Sequence, residues 1–294
     1  SRLPPSRSCK LFVLCFFSLF LWSTTAHMAK RKAQEICFRS RKSANAIKKV
    51  PRKKEDENVS APSTICLRDC ETLGWDVSAG IEHLTANGLL REVEEYGCPP
   101  FLQEEKKTGA SNHFISLAKA IVYQQLAGAA AATIWKRFVS LLSCTPVTSE
   151  EELAAALSSL SPAAVLQLDE DKLRSAGLSR AKASYVRDLA CKFENGELEG
   201  LEEKDDEELA RALIAVKGIG PWTVDMFMIF SLHRQDVLPV GDLGVRKGMQ
   251  VFFGMKKLPT PAEMREKTQS WRPYRTMGTW YMWKLAGTSA PASR

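Results

Sequence analysis

One aspartate after an apolar loop, and two glycines between helical patterns, are the residues of this sequence most able to do chemistry. The loop is Val237-Leu238-Pro239-Val240-Gly241-Asp242-Leu243, with a single acid directly ahead of a helical pattern. By type and place Asp242 reads as a helix N-cap, a position for which Asp is among the best residues. Upstream, Leu209, Leu213 and Val216 recur at helical spacing, and that pattern stops where Gly218 and Gly220 appear. Two glycines one residue apart permit positive φ and close backbone approach, and Pro221 suits the first turn of a second helix over about Pro221–Phe230. Helix, glycine hairpin and helix together leave unpaired N–H groups at the second helix's start, where the dipole also favours an anion. A phosphate is the natural occupant. Glycine between two helices is equally the composition of a plain turn.

The elements that must position these residues are bounded by composition. A chain of 294 residues, 45% of them apolar, buries one good-sized core or two small ones. Its formal charge of +7 is uneven: residues 30–57 carry eleven Lys/Arg against four Asp/Glu, and residues 1–29 add three more cations. The compact part is thus slightly acidic, and nucleic-acid affinity there needs a local patch, not net charge. Eight cysteines, the last of them Cys191, show no paired CxxC or Cys/His metal spacing, which favours reduced thiols in an intracellular protein.

Residues 1–27 hold Arg2, Arg7 and Lys10 and then the twelve-residue run LFVLCFFSLFLW, the shape of a secretory signal and too short for a membrane span. The first methionine is Met28, and the preferred expectation is synthesis from Met28 with 1–27 as upstream sequence; a presequence for a plastid or other organelle is the alternative. Residues 28–74 begin with basic clusters at Lys30-Arg31-Lys32 and Lys48 to Lys54 and are expected to be a disordered basic tail suited to nuclear import.

From Trp75 onward the periodicity is helical. Ile81, Leu84, Leu89, Leu90 and Val93 outline one or two helices; 113–142 is an apolar helix, a break near Gly128 and an alanine-rich helix. Ser149, Ser161, Asp169 and Ser179 each precede an apolar periodic run, a capping signal, with Gly177 and Gly196 as stops. No stretch alternates with period two, so an all-α domain is predicted over 75–288, with a short tail at 289–294.

VKGIGPWTVDMF followed by LPVGDLGVRKG resembles the helix-hairpin-helix (HhH-GPD) DNA glycosylase superfamily, and most nearly its 3-methyladenine DNA glycosylase II branch. The likeness covers about residues 76–286. It implies two helical lobes, about 113–231 and 76–112 with 232–286, with the active site in the cleft between them. It also implies a monomer acting on double-stranded DNA that contains alkylated bases, with no membrane association.

The same resemblance assigns roles. Asp242 matches the catalytic aspartate, whose carboxylate steadies positive charge on the sugar as the base leaves. Trp222 stands where bifunctional members carry a lysine nucleophile, so no strand-cleaving lyase step is expected. With no cysteine after Cys191, the iron–sulfur cluster of other branches is excluded. No organic cofactor is needed, and no second carboxylate carries a comparable signature for general-acid duty. A cationic base would be held by aromatic faces, Trp222 and Trp283 matching pocket positions, with Tyr123 as a further candidate. Met226 and Met277 stand where the bacterial enzyme has tyrosines. Gln125 or Leu126 matches the wedge that fills the vacated stack. Gly218, Gly220 and Thr223 would meet the DNA backbone, with Arg246 and Lys247 adding phosphate contacts and Arg272 and Arg275 as weaker candidates. Carbonyls of Val216 to Gly218 match a monovalent-cation site.

Overall fold

The computed structural model describes residues 75–103 and 109–287. The expectations for residues 1–27, for 28–74 and for the tail at 289–294 lie outside the described residues. Within these, every regular element is a helix and none is a strand.

Local signals set the helix starts. Helix α1 (Val77–Leu84) begins after Asp76, whose carboxylate accepts the Ala79 N–H at 3.0 Å. A wide turn over Thr85–Leu89 leads to α2 (Leu90–Tyr96). The alanine-rich stretch forms α3 (Ala110–Tyr123) and α4 (Gly128–Ser143). Next come α5 (Glu150–Ala156), α6 (Pro162–Leu166), α7 (Glu170–Ser175) and α8 (Arg180–Glu194), capped by Ser149, Ser161, Asp169 and Ser179, the four residues that the sequence singles out. Each such cap satisfies an orphan N–H and is worth about 1 kcal/mol. Asp205 caps α9 (Asp206–Ile214), and α10 (Pro221–Phe230), α11 (Leu243–Phe252), α12 (Pro261–Lys267) and α13 (Arg275–Leu285) complete the chain.

The contacts gather the described residues, Gln125–Ala127 apart, into one compact unit. In it α8 packs on α3, α6 and α7, burying Ala183, Val186, Leu189 and Ala190. The first helices turn back to the last ones: the Trp75 indole N–H donates to the His233 carbonyl at 2.9 Å, and the Tyr281 hydroxyl to that of Gly97 at 3.1 Å. Helices α11 and α13 lie so close that a Cβ on Gly248 would stand 1.9 Å from the Met282 carbonyl oxygen. Only glycine allows that approach. Helix α10 has no amphipathic stripe, because Thr223, Val224 and the run Met226–Phe230 are all buried; it is a central helix.

Candidate active site

Asp242 is the N-cap of α11, 8% exposed, with extended backbone. Three N–H groups converge on its carboxylate. Oδ1 accepts the Val245 N–H at 2.8 Å and the Trp283 indole N–H at 2.9 Å, and Oδ2 accepts the Trp222 indole N–H at 2.8 Å. A carboxylate only accepts, so three convergent donors suit its anion, as does the helix N-terminus at which it sits. The side chain is therefore held in one orientation by α10, α11 and α13 together. Trp222 is 42% exposed, so an aromatic face stays open beside a buried anion.

The glycine hairpin ahead of Trp222 is shaped by contacts from both sides. Gly218 has φ of +82°, and a Cβ there would lie 2.2 Å from the Tyr185 ring, so its glycine is required twice over. Gly220 differs from the expectation: it is the N-cap of α10 with φ of −111°, and a Cβ there would meet nothing, so neither positive φ nor close packing requires glycine at this position. Among the described residues neither Gly218 nor Gly220 donates its N–H within the chain, whereas the Lys217 N–H is taken by Asp188 at 2.9 Å. Two free amides thus stand at the start of a ten-residue helix, where the dipole favours an anion.

Residues 118–273 match the model of the HhH-GPD superfamily base excision DNA repair proteins. The chain belongs to this superfamily. It is similar to DNA-3-methyladenine glycosylase 1 of Schizosaccharomyces pombe, 33% identical over 173 residues that cover 58% of this chain and 71% of the relative. Among solved structures it is similar to a DNA-3-methyladenine glycosidase from Bacillus halodurans, with TM-score 0.58, 31% identity, and coverage of 72% of this chain and 91% of the other. A 3-methyladenine DNA glycosylase of Schizosaccharomyces pombe in complex with abasic DNA matches at TM-score 0.53 and 28% identity, covering 70% of this chain and 95% of that one.

The remaining residues singled out by the HhH-GPD likeness divide. Trp283 is expected to line the base pocket. It is 2% exposed and stacked on Phe230, with centroids 5.9 Å apart, and its polar edge is spent on Asp242. Its neighbour Trp280 is buried too, under Lys284, and so is Tyr281. Met226 (8% exposed) and Thr223 (5%) are buried on α10, and Met277 is buried where α13 meets Gly80. Tyr123, at the end of α3, is half-buried; Lys119 lies over its ring at 5.6 Å, and burial together with Glu150 pushes its hydroxyl pKa up. No described contact joins it to Asp242, Trp222 or Trp283. Gln125 is exposed with φ of +55°, and Leu126 follows it.

The basic candidates are mostly engaged. Arg246 donates Nε to the Pro259 carbonyl at 3.0 Å, and Lys247 is half-buried on the same helix. Arg272 and Arg275 both pair with Asp236, the latter through Nε at 2.6 Å, so they are structural ion pairs.

Two residues that matter here escaped the sequence reading. Gln124 donates Nε2 to the Gly218 carbonyl at 2.8 Å while Lys182 of α8 donates to the Val122 and Gln124 carbonyls, so the end of α3 is tied to the hairpin. Asp225, three residues after Trp222, is the single ionisable residue of α10. Burial, and then the charge of Asp242, push its pKa up to about 7. The signal was present in the sequence as one acid in the otherwise apolar run PWTVDMFMIF.

Proposed function

We propose that this chain is a monofunctional DNA glycosylase of base excision repair, hydrolysing the N-glycosidic bond of alkylated purines such as 3-methyladenine and 7-methylguanine and leaving an abasic site. The observation that carries this reading is the buried Asp242 carboxylate, clamped by two indole N–H groups beside the open face of Trp222. A duplex base must leave the stack to be acted on, and a cationic purine laid on Trp222 gains cation–π attraction that its unmodified counterpart lacks. As the C1′–N9 bond lengthens, positive charge grows on the sugar. A fixed carboxylate in a partly dry site stabilises that charge without reorganising, an effect typically worth 10²–10³ in rate for one such group. Water then adds to C1′. An alkylated purine already carries its positive charge and departs as a neutral base.

Trp222 occupies the place of the lysine nucleophile of bifunctional relatives, which argues for hydrolysis without strand cleavage. The free amides of Gly218 and Gly220 would take a DNA phosphate, and Gln125 or Leu126 would enter the vacated stack. The helices would fall into lobes of about 113–231 and 76–112 with 232–286. The carbonyls of Val216 and Gly218 each accept one N–H, from Ile219 at 3.1 Å and from Gln124 at 2.8 Å. Each keeps a lone pair, which fits a monovalent cation shared with the phosphate. The protein would work as a monomer without an organic cofactor, in the nucleus, to which the basic clusters before residue 58 direct it.

The test is base release from methylated duplex DNA by the full chain, native beside Asp242→Asn, with strand integrity followed on the same samples. Methylpurine release by the native protein alone, with strands intact until alkali is added, is the expected result. Binding by both proteins without release by either would make the chain a noncatalytic DNA-binding module. Release of other lesions only would change its substrate class.

A further inference from the structure

We infer that Asp225 is a second catalytic carboxyl of this site, a proton donor to the departing base, and that it extends the reaction from cationic purines to uncharged ones. The inference rests on the glycosylase reading above and adds to it the group that an uncharged base requires.

Geometry places Asp225 at the site. It lies three residues after Trp222 on α10, on the same face of the helix, and helical side chains lean towards the N-terminus, over the turn before their own. That spacing puts the two residues one turn apart on one face, Asp225 beside the indole whose N–H is bound to Asp242 at 2.8 Å. Every residue from Met226 to Phe230 is buried and Asp225 only partly so, which leaves it one open side. Among the described residues it accepts no hydrogen bond and forms no ion pair. Among the described residues, then, no hydrogen bond or ion pair of the fold calls for an acid here, and only Pro221, Trp222 and Asp225 of this helix are not buried.

The charges around it separate the two carboxyls. Asp242 has three N–H donors and a helix N-terminus. Asp225 has none of these, and feels burial and the Asp242 charge. Helices α3 and α9 pack on α10, and α11 and α13 meet it at Asp242 and Trp283. Their charged groups are engaged elsewhere, exposed or, for Lys247, half-buried. His113 faces Glu202 at 3.3 Å and the Phe227 ring, Lys119 lies over Tyr123, and Asp206, Glu207, Glu208 and Arg211 are exposed. Arg246 donates to the Pro259 carbonyl, Arg275 pairs with Asp236, and Lys284 lies over the Trp280 ring. Two carboxyls whose surroundings differ this much take different roles, the anion at Asp242 and the acid at Asp225.

The step balances. The C1′–N9 bond breaks and its electron pair goes to the purine; the Asp225 proton passes to a ring nitrogen of that purine, which leaves uncharged overall. Asp225 is then a carboxylate. Water forms the new C1′–O bond and releases one proton, which returns to Asp225. A cationic alkylpurine does not need the first proton, so dependence on Asp225 should follow the charge of the base.

The experiment compares release of 7-methylguanine and of hypoxanthine, an uncharged purine, from duplex DNA by the full chain and by its Asp225→Asn and Asp225→Glu variants, between pH 5.5 and 8.5. Expected for Asp225→Asn is a fall of about a hundredfold in the ratio of hypoxanthine to 7-methylguanine release, in the range of lost general-acid catalysis. The native hypoxanthine rate should decline above about pH 7. That limb should vanish in Asp225→Asn and return in Asp225→Glu. The ratio cancels a general loss of folding or DNA binding. An unchanged ratio, or release of 7-methylguanine but no hypoxanthine by the native protein, overturns the role of Asp225 and leaves the glycosylase reading standing. Release of neither base by the native protein overturns the glycosylase reading, and this inference with it.

Discussion

The indole N–H of Trp283 meets Oδ1 of Asp242 at 2.9 Å across 41 residues of sequence. The bond joins the last turn of α13 to the N-terminus of α11. It turns an N-cap of the kind surface helices carry into a buried carboxylate of single orientation. Trp222 closes the same carboxylate from α10, so one side chain registers three helices.

Replacing Trp283 by Phe keeps the ring stacked on Phe230 and removes the donor. A hydrogen bond to a charged group is worth about 1.5–3 kcal/mol, and urea unfolding should show a loss of that order. Base release should slow by about tenfold, because Asp242 gains freedom to turn. An unaltered rate would separate the clamp from the chemistry.

Gly248→Ala should be far more damaging than an alanine in mid-helix normally is. Its Cβ would fall 1.9 Å from the Met282 carbonyl oxygen, a backbone atom that cannot rotate away. Helices α11 and α13 must then separate, at a cost of about 3 kcal/mol or more. Thermal unfolding should register this, and base release should fall with it, since Asp242 and Trp283 lie on the two helices being parted.

Asp225 predicts a pH dependence of stability. Its ordinary pKa of 3.8 rises to about 7 in the fold, so between those values the folded state keeps a proton that the unfolded chain has lost. Native stability from this group is therefore greatest at low pH and declines as pH rises through that window. Asp225→Asn removes the decline. The melting temperature of the variant minus that of the native protein should grow from pH 4.5 to pH 7.5 and level off above it. A constant difference would show that neither burial nor the Asp242 charge raises the pKa of Asp225 in the fold.

Gln124→Ala should loosen the hairpin without unfolding the domain. Gln124 donates to the Gly218 carbonyl at 2.8 Å from a partly exposed position, so its loss costs about 1 kcal/mol of stability. The larger effect should be on undamaged duplex DNA, measured by fluorescence anisotropy at fixed salt, because the amides of Gly218 and Gly220 would no longer be held for a phosphate. Equal affinity would show that the hairpin keeps its shape without this tie.

What the chain's own letters determined is local. Ser149, Ser161, Asp169 and Ser179 cap helices because a side-chain oxygen reaches an N–H only three residues away, and no distant neighbour is needed. Gly218-Ile219-Gly220-Pro221 read as a hairpin for the same reason, and Asp242 as the start of a helix. Tertiary structure decided which of those features converge. The sequence carries no sign that α11 and α13 approach to backbone contact at Gly248, that Trp283 is therefore sealed inside with its N–H on Asp242, or that Gln124 instead of its neighbours braces the hairpin. Nor could it separate Arg275, consumed by Asp236, from a basic residue free for DNA. Asp225 shows the division most clearly: its type and its place on α10 were readable, but a carboxyl's charge depends on burial and on the nearest other charge, and both are set by helices distant in the chain.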